Sequence, residues 1–100
     1  MDHTKPRNRR LDRRIPIALP ARLELDGGLE EEAMCVEMGV GGLTLHARYV
    51  PRPDEEFTVT VSTPDPNHPP LRVRLAVKRC QALDVQGVYE IGGKIVKTLT

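Results

Sequence analysis

Apolar and polar side chains alternate with a period of two in several short stretches of the chain. The clearest is residues 71–78, in which Leu71, Val73, Leu75 and Val77 share one face. Because successive side chains of a strand point to opposite faces, this pattern predicts a strand with one buried face. The same pattern predicts four more strands, at residues 21–25, 43–48, 57–62 and 89–95, and residues 33–38 are a sixth candidate.

Turn-forming residues separate these segments, and no stretch of ten or more residues free of glycine and proline has a helical period. Six short strands with regularly spaced turns predict an all-β fold, a small six-stranded antiparallel β-barrel with little helix. We expect a flexible basic N-terminal arm at residues 1–14 and the barrel domain at residues 15–100. We expect the three glutamates at 30–32 to form an acidic hairpin tip, with a helical turn as the alternative.

The net charge of +1 conceals an asymmetry between the two parts of the chain. Residues 1–14 carry six of the 15 cations and two of the 14 anions, which leaves nine cations and twelve anions for the rest, a net charge of −3. A basic arm on a mildly acidic domain is typical of local anion capture rather than of binding nucleic acid over the whole surface. A solvated basic tail is the simpler alternative.

Several function classes find little support in the sequence. No apolar run approaches the roughly 20 residues that a membrane helix needs, and the first residues lack the apolar segment of a signal peptide, so we expect a cytoplasmic protein without membrane insertion. The two cysteines, Cys35 and Cys80, lack clustered partners at metal-ligand spacing, so we expect buried free thiols and no metal.

Catalysis and nucleic-acid binding are also poorly supported. His3, His46 and His68 have no evident nucleophile or metal partner, so we expect no enzyme activity and no cofactor. The glycines of residues 39–42 are followed neither by a Gly-Lys-Ser/Thr sequence nor by a helix, which excludes a P-loop and a dinucleotide fingerprint. With three aromatic residues in the chain, stacking on single-stranded nucleic acid is disfavoured, and we expect no specific nucleic-acid partner.

The remaining candidate is the arginine cluster just before the first predicted strand. Arg10 and Arg14 stand four residues apart, so an ordered arm could direct both at one anion. The planar guanidinium can bind a phosphate, or the acceptor edge of a guanine, through two hydrogen bonds at once. The cluster therefore predicts an anion site, unless these arginines are simply exposed cations.

At these positions the chain resembles the PilZ domain family, bacterial receptors for the second messenger cyclic di-GMP. Its members are six-stranded β-barrels with an Arg-x-x-x-Arg motif before the first strand and an Asp/Asn-x-Ser-x-x-Gly motif at the end of the second. The first motif is present at residues 10–14, and the second aligns with residues 37–42 as Glu-Met-Gly-Val-Gly-Gly. The sequence "YEIGGKIV" at 89–96 is similar to the closing strand of the family.

The resemblance implies roles for six residues. Arg10 and Arg14 would contact the guanines and phosphates of cyclic di-GMP. Glu37 keeps a carboxylate for a guanine edge, whereas Gly39 replaces the serine and removes its hydroxyl. Gly42 is retained, for a positive φ or a close backbone approach. Arg9 precedes the first motif arginine, where a basic residue is compatible with binding a pair of ligands.

Three hypotheses follow for the function. The first is a non-catalytic signalling module that binds cyclic di-GMP through the arginine arm and the turn at 37–42, and transmits the signal to a partner protein by rearranging the arm. The second is a degenerate PilZ domain that does not bind the nucleotide and acts as a protein-interaction adaptor. The third is a nucleic-acid binder that uses the basic arm. Because the chain ends soon after Val96, we also expect no helix over the barrel and an opening available to a partner.

Overall fold

The computed structural model describes residues 14–99, which form a closed antiparallel barrel with strand order β1-β2-β3-β6-β5-β4. The strands are β1 (Arg14–Glu24), β2 (Glu30–Gly39), β3 (Gly42–Ala47), β4 (Glu56–Val61), β5 (Leu71–Ala82) and β6 (Tyr89–Thr98). A 3-10 turn at Asp26–Gly28 is the one helical element among these residues. The predicted six-stranded barrel with little helix is confirmed.

The barrel interior holds the apolar positions on which the strand predictions rest. Phe57 is fully buried and meets the ring of Tyr49 edge to face, with 6.2 Å between the ring centroids. The largest fully buried apolar side chains come from all six strands: Leu23, Cys35, Leu43, Leu45, Phe57, Val59, Val61, Val73, Leu75 and Ile91. Alternation therefore sorts the side chains between the core and the outer surface, as expected for a small barrel.

Strand β1 is longer than predicted and begins at Arg14. It contains Pro16 and Pro20, which interrupt an otherwise strand-like pattern because proline lacks an N–H donor. The structure accommodates Pro16 because that part of β1 pairs with β2 only, whereas pairing with β4 begins at Ala21. Proline is tolerated where one edge of a strand is unpaired.

Two local predictions were wrong. The glutamates at 30–32 lie inside β2, paired with residues 22–24 of β1, because Gly27 and Gly28, both with a φ of 83°, make the turn before them. Cys80 is exposed, whereas Cys35 is buried as predicted. Cys80 lies in the C-terminal half of β5, which extends beyond the pairing of β5 with β4 that ends at Ala76.

Most of the basic arm lies outside the described residues, including Arg9 and Arg10, so the boundary at residue 14 stays a prediction. No helix within residues 14–99 is long and apolar enough to span a membrane.

Candidate functional site

Four of the six predicted site residues lie together at one end of the barrel. Arg14 of β1 pairs with Gly39 of β2, Glu37 pairs with Thr44 of β3, and Gly42 is the first residue of β3. The pairing of β1, β2 and β3 thus joins the start of the first strand to the hairpin that carries the second motif. The other two predicted residues, Arg9 and Arg10, lie outside the part of the chain that the structure describes.

A chain of hydrogen bonds links Arg14 to Glu37 through one hydroxyl group. Arg14 Nη1 donates to Thr44 Oγ1 at 3.2 Å and approaches the Leu43 carbonyl oxygen at 3.5 Å. Thr44 Oγ1 in turn donates to Glu37 Oε1 at 3.1 Å. The hydroxyl therefore uses its proton and one lone pair at once, and it holds a cation and an anion on the same outer face.

Gly42 allows the Arg14 side chain to lie against the barrel. A Cβ placed on Gly42 would collide with Arg14 Nη2, stand 2.9 Å from Arg14 Cζ and stand 2.5 Å from the carbonyl oxygen of Gly93 on β6. Gly42 has no positive φ, so of the two reasons suggested by the sequence it is close approach that requires glycine here.

Glu37 faces outward because β2 contains a bulge. Cys35 pairs with Leu45 and Glu37 pairs with Thr44, so β2 advances two residues where β3 advances one. Without the extra residue, Glu37 would share the inward face of Cys35, since residues i and i+2 of a regular strand lie on one side. A bulge changes the direction of the following side chains and is frequent beside functional sites.

Burial under this bulge affects the chemistry of Cys35. Its Sγ donates to the Glu37 carbonyl oxygen at 3.3 Å. Desolvation raises the pKa of the Cys35 thiol to about 11, and the backbone hydrogen bond to Glu37 opposes that rise only in part. The thiol is therefore protonated at neutral pH and acts as an apolar core group.

Sequence reasoning missed Thr44, which is 1% exposed although its neighbours Leu43 and Leu45 point into the core. The alternation of β3 places Thr44 on the outer face and predicts a solvent-exposed residue. Its burial comes from packing on the outer face, where it contacts Arg14 and Glu37. The only available signal was its place on the strand that follows the second motif.

A second polar cluster lies beside this site on β3, β6 and β5. Glu90 Oε1 lies 3.1 Å from His46 Nε2, and Arg79 Nη1 donates to Glu90 Oε2 at 3.0 Å. These hydrogen bonds, first from His46 and then from Arg79, lower the pKa of the Glu90 carboxyl below its usual value. Within residues 14–99, no three His, Cys, Asp or Glu side chains are arranged to hold a metal ion.

Comparisons with known proteins identify the fold. The family model for the PilZ domain matches residues 8–98 of the chain. No curated protein matches it. Among solved structures, inhibitor of motility (MotI/DgrA) from Bacillus subtilis aligns with a TM-score of 0.68 and 12% sequence identity, covering 87% of this chain and 42% of that one. The present chain thus spans less than half of that protein, and the likeness at this identity shows the fold alone.

Proposed function

This chain belongs to the PilZ domain family, and from that premise we propose that it binds cyclic di-GMP through the arginine arm and the turn at residues 37–42. The observation that carries the proposal is the assembly of Arg14, Glu37, Gly39 and Gly42 on one outer face of the barrel. We propose that this face binds the nucleotide without catalysing a reaction. The protein would act in cytoplasmic signalling.

The carboxylate of Glu37 suits the Watson–Crick edge of a guanine. It accepts hydrogen bonds, and that edge carries the N1–H and N2–H donors. Thr44 already holds Oε1 in place, which reduces the rotamer freedom that the longer glutamate would lose on binding. A carboxylate has about four lone-pair sites, so its bond to Thr44 leaves it capacity for two donors. Glutamate has one methylene more than the aspartate of the motif and therefore more rotamer freedom to lose. The hydrogen bond from Thr44 offsets this extra entropic cost.

The arginines suit the phosphates and the guanine acceptor edge. Arg14 stands across from Gly39, where the missing hydroxyl leaves backbone in place of a side chain. Hydrogen bonds to charged groups contribute about 1.5–3 kcal/mol each, and micromolar binding corresponds to about 8.2 kcal/mol. Contacts from Glu37, Arg14 and Arg10 together reach that range when the cost of ordering the arm is modest. We therefore expect a dissociation constant in the micromolar range.

The position of Arg14 suggests how binding could be transmitted as a signal. Its guanidinium is held by the Thr44 hydroxyl and the Leu43 carbonyl oxygen. A phosphate that competes for this guanidinium would move the start of β1 and the arm attached to it. We propose that this rearrangement alters the surface offered to a partner protein.

Isothermal titration calorimetry with cyclic di-GMP tests the proposal. Wild-type protein should bind with micromolar affinity, and Arg14→Ala should weaken binding at least about tenfold, the equivalent of one charged hydrogen bond. Arg22→Ala is the matched control, because Arg22 is also an outward arginine of β1 but is 60% exposed and lies near Glu30. Its affinity should equal that of wild type. Circular dichroism melts establish that each variant is folded.

Absence of heat with wild-type protein at tens of micromolar would reject nucleotide binding. Binding gained in that case by the double variant Glu37→Asp, Gly39→Ser would identify the chain as a degenerate adaptor. The stoichiometry from the same titration tests the role of Arg9, since a pair of ligands per protein is expected if Arg9 supports an intercalated pair. Titration of DNA or RNA against salt tests the arm as a nucleic-acid binder, which requires a steep salt dependence.

A further inference from the structure

The site continues across the barrel as a row of paired residues on four neighbouring strands. Glu37 on β2 pairs with Thr44 on β3, Thr44 pairs with Gly92 on β6, and Gly92 pairs with Arg79 on β5. Residues directly opposite each other in antiparallel strands share one face. Glu37 and Arg79 therefore stand at the two ends of a single outward-facing row.

A second bulge places Arg79 in this row. Val77 pairs with Gly93 and Arg79 pairs with Gly92, so β5 advances two residues where β6 advances one. Val77 is 2% exposed and points into the core, which is also where Arg79 would point on a regular strand. The row thus has a bulge at each end, and each bulge turns a charged side chain outward.

Arg79 lies flat over Gly92, in the middle of the row. A Cβ on Gly92 would stand 2.7 Å from Arg79 Nε, 2.9 Å from its Cγ and 2.9 Å from its Cζ. The side chain therefore reaches from β5 across Gly92 on β6, the strand that lies between β5 and β3. Glu90, two residues from Gly92 on the same face of β6, holds the guanidinium at 3.0 Å.

The ion pair between Arg79 and Glu90 does not by itself explain the bulge before Arg79 or the glycine beneath its side chain. Exposed ion pairs contribute about 0–1 kcal/mol, and the Arg79 side chain is 50% exposed. Such a pair needs neither a bulge nor a glycine beneath the arginine. The arrangement instead holds a guanidinium in a fixed direction at one end of the row, as a binding site requires.

We propose that Arg79 binds the second guanine of cyclic di-GMP, through its O6 and N7 acceptors. This inference rests on the proposed function. Three strand spacings of about 4.8 Å separate the Glu37 and Arg79 backbones by about 14 Å along the sheet, and both side chains face the strip between them. A dinucleotide with one guanine at Glu37 extends along this strip and brings its other guanine to Arg79. Guanidinium has five N–H donors, so Arg79 keeps its bond to Glu90 while it binds the base.

The test compares two cyclic dinucleotides on three proteins. In cyclic GMP–AMP, adenine replaces one guanine, and adenine offers N7 but has a donor amino group in place of O6. Calorimetry with both ligands is run on wild type, on Arg79→Ala and on Arg74→Ala. Arg74 is the matched control because it is another outward arginine of β5 that forms an ion pair with a glutamate, in this case Glu56 of β4, on the other side of that strand.

We expect wild type to prefer cyclic di-GMP over cyclic GMP–AMP. Arg79→Ala should lose about tenfold or more in affinity for cyclic di-GMP, and its preference between the ligands should shrink accordingly. Arg74→Ala should match wild type in both respects.

The outcomes separate this inference from the proposed function. Unchanged affinity in Arg79→Ala, beside loss of binding in Arg14→Ala, overturns the role of Arg79 and leaves the function standing. An equal loss for both ligands also overturns it, because Arg79 would then act through its charge and would not recognise the base. Absence of binding by wild-type protein overturns both proposals together.

Discussion

Replacing Gly42 with alanine should destabilise the barrel and displace Arg14. The added Cβ would stand 2.5 Å from the Gly93 carbonyl oxygen, and ordinary contact begins at 3.4 Å, so β3 and β6 must separate locally by 0.9 Å. The adjacent hydrogen bond from Ile95 N to Gly41 O is 2.9 Å long and would lengthen with that movement. The guanidinium of Arg14 can move aside at little cost, whereas the Gly93 backbone cannot.

The expected loss of stability is about 2 kcal/mol. Overpacking costs about 1–3 kcal/mol, and a weakened hydrogen bond adds about 0.5–1.5 kcal/mol. Alanine recovers about 0.4–1 kcal/mol by restricting the unfolded chain. For a domain of this size each kcal/mol lowers Tm by about 4–8 °C, so Gly42→Ala should melt about 8–16 °C below wild type.

Thermal and urea unfolding of four proteins check this reasoning: wild type, Gly42→Ala, Arg14→Ala and the double variant. If the Gly93 carbonyl causes the loss, Gly42→Ala costs the same within about 0.5 kcal/mol whether Arg14 is present or not. A cost that disappears in the Arg14→Ala background would refute the backbone argument and identify the guanidinium as the obstacle. A wild-type Tm for Gly42→Ala would refute the close approach altogether.

Three further predictions concern single side chains. Thr44→Val keeps the shape but removes the hydroxyl, so it should lower both the stability, by about 1–2 kcal/mol, and the affinity for cyclic di-GMP. In native protein the disulfide reagent DTNB should modify the exposed Cys80 and spare Cys35, whose burial raises its pKa to about 11, until denaturant is added. The hydrogen bond to Glu55 raises the pKa of Tyr49 to about 12, so its stabilisation should be complete below pH ~10, the unfolded value, and lost as pH rises through 12. When the free energy of unfolding is measured against pH, Tyr49→Phe should not show this loss of stability at alkaline pH.

The barrel was predictable from sequence because alternation reports which side of a strand is buried, and six short strand segments separated by turns leave few all-β arrangements. The predicted strand boundaries were wrong where the local sequence pattern indicates one structure and the pairing with a neighbouring strand imposes another. Alternation predicted a first strand at residues 21–25, but β1 begins at Arg14, where it is paired with β2 only. The glutamates at 30–32 repel one another, yet their pairing with β1 keeps them in a strand. Such effects depend on neighbouring strands that no local window contains.

The direction of the side chains on the candidate binding face was still harder to predict from the sequence. A regular period of two would put Glu37 on the side of Cys35 and Arg79 on the side of Val77, inside the barrel. Each is turned outward by one unpaired residue, and a bulge is visible only in the register between two strands. The motif could therefore identify Glu37 but not the direction of its side chain, and Arg79, which belongs to no motif, could not be found at all. Since a row needs its members on one face, it is the two bulges that turn a conventional barrel surface into a candidate binding site.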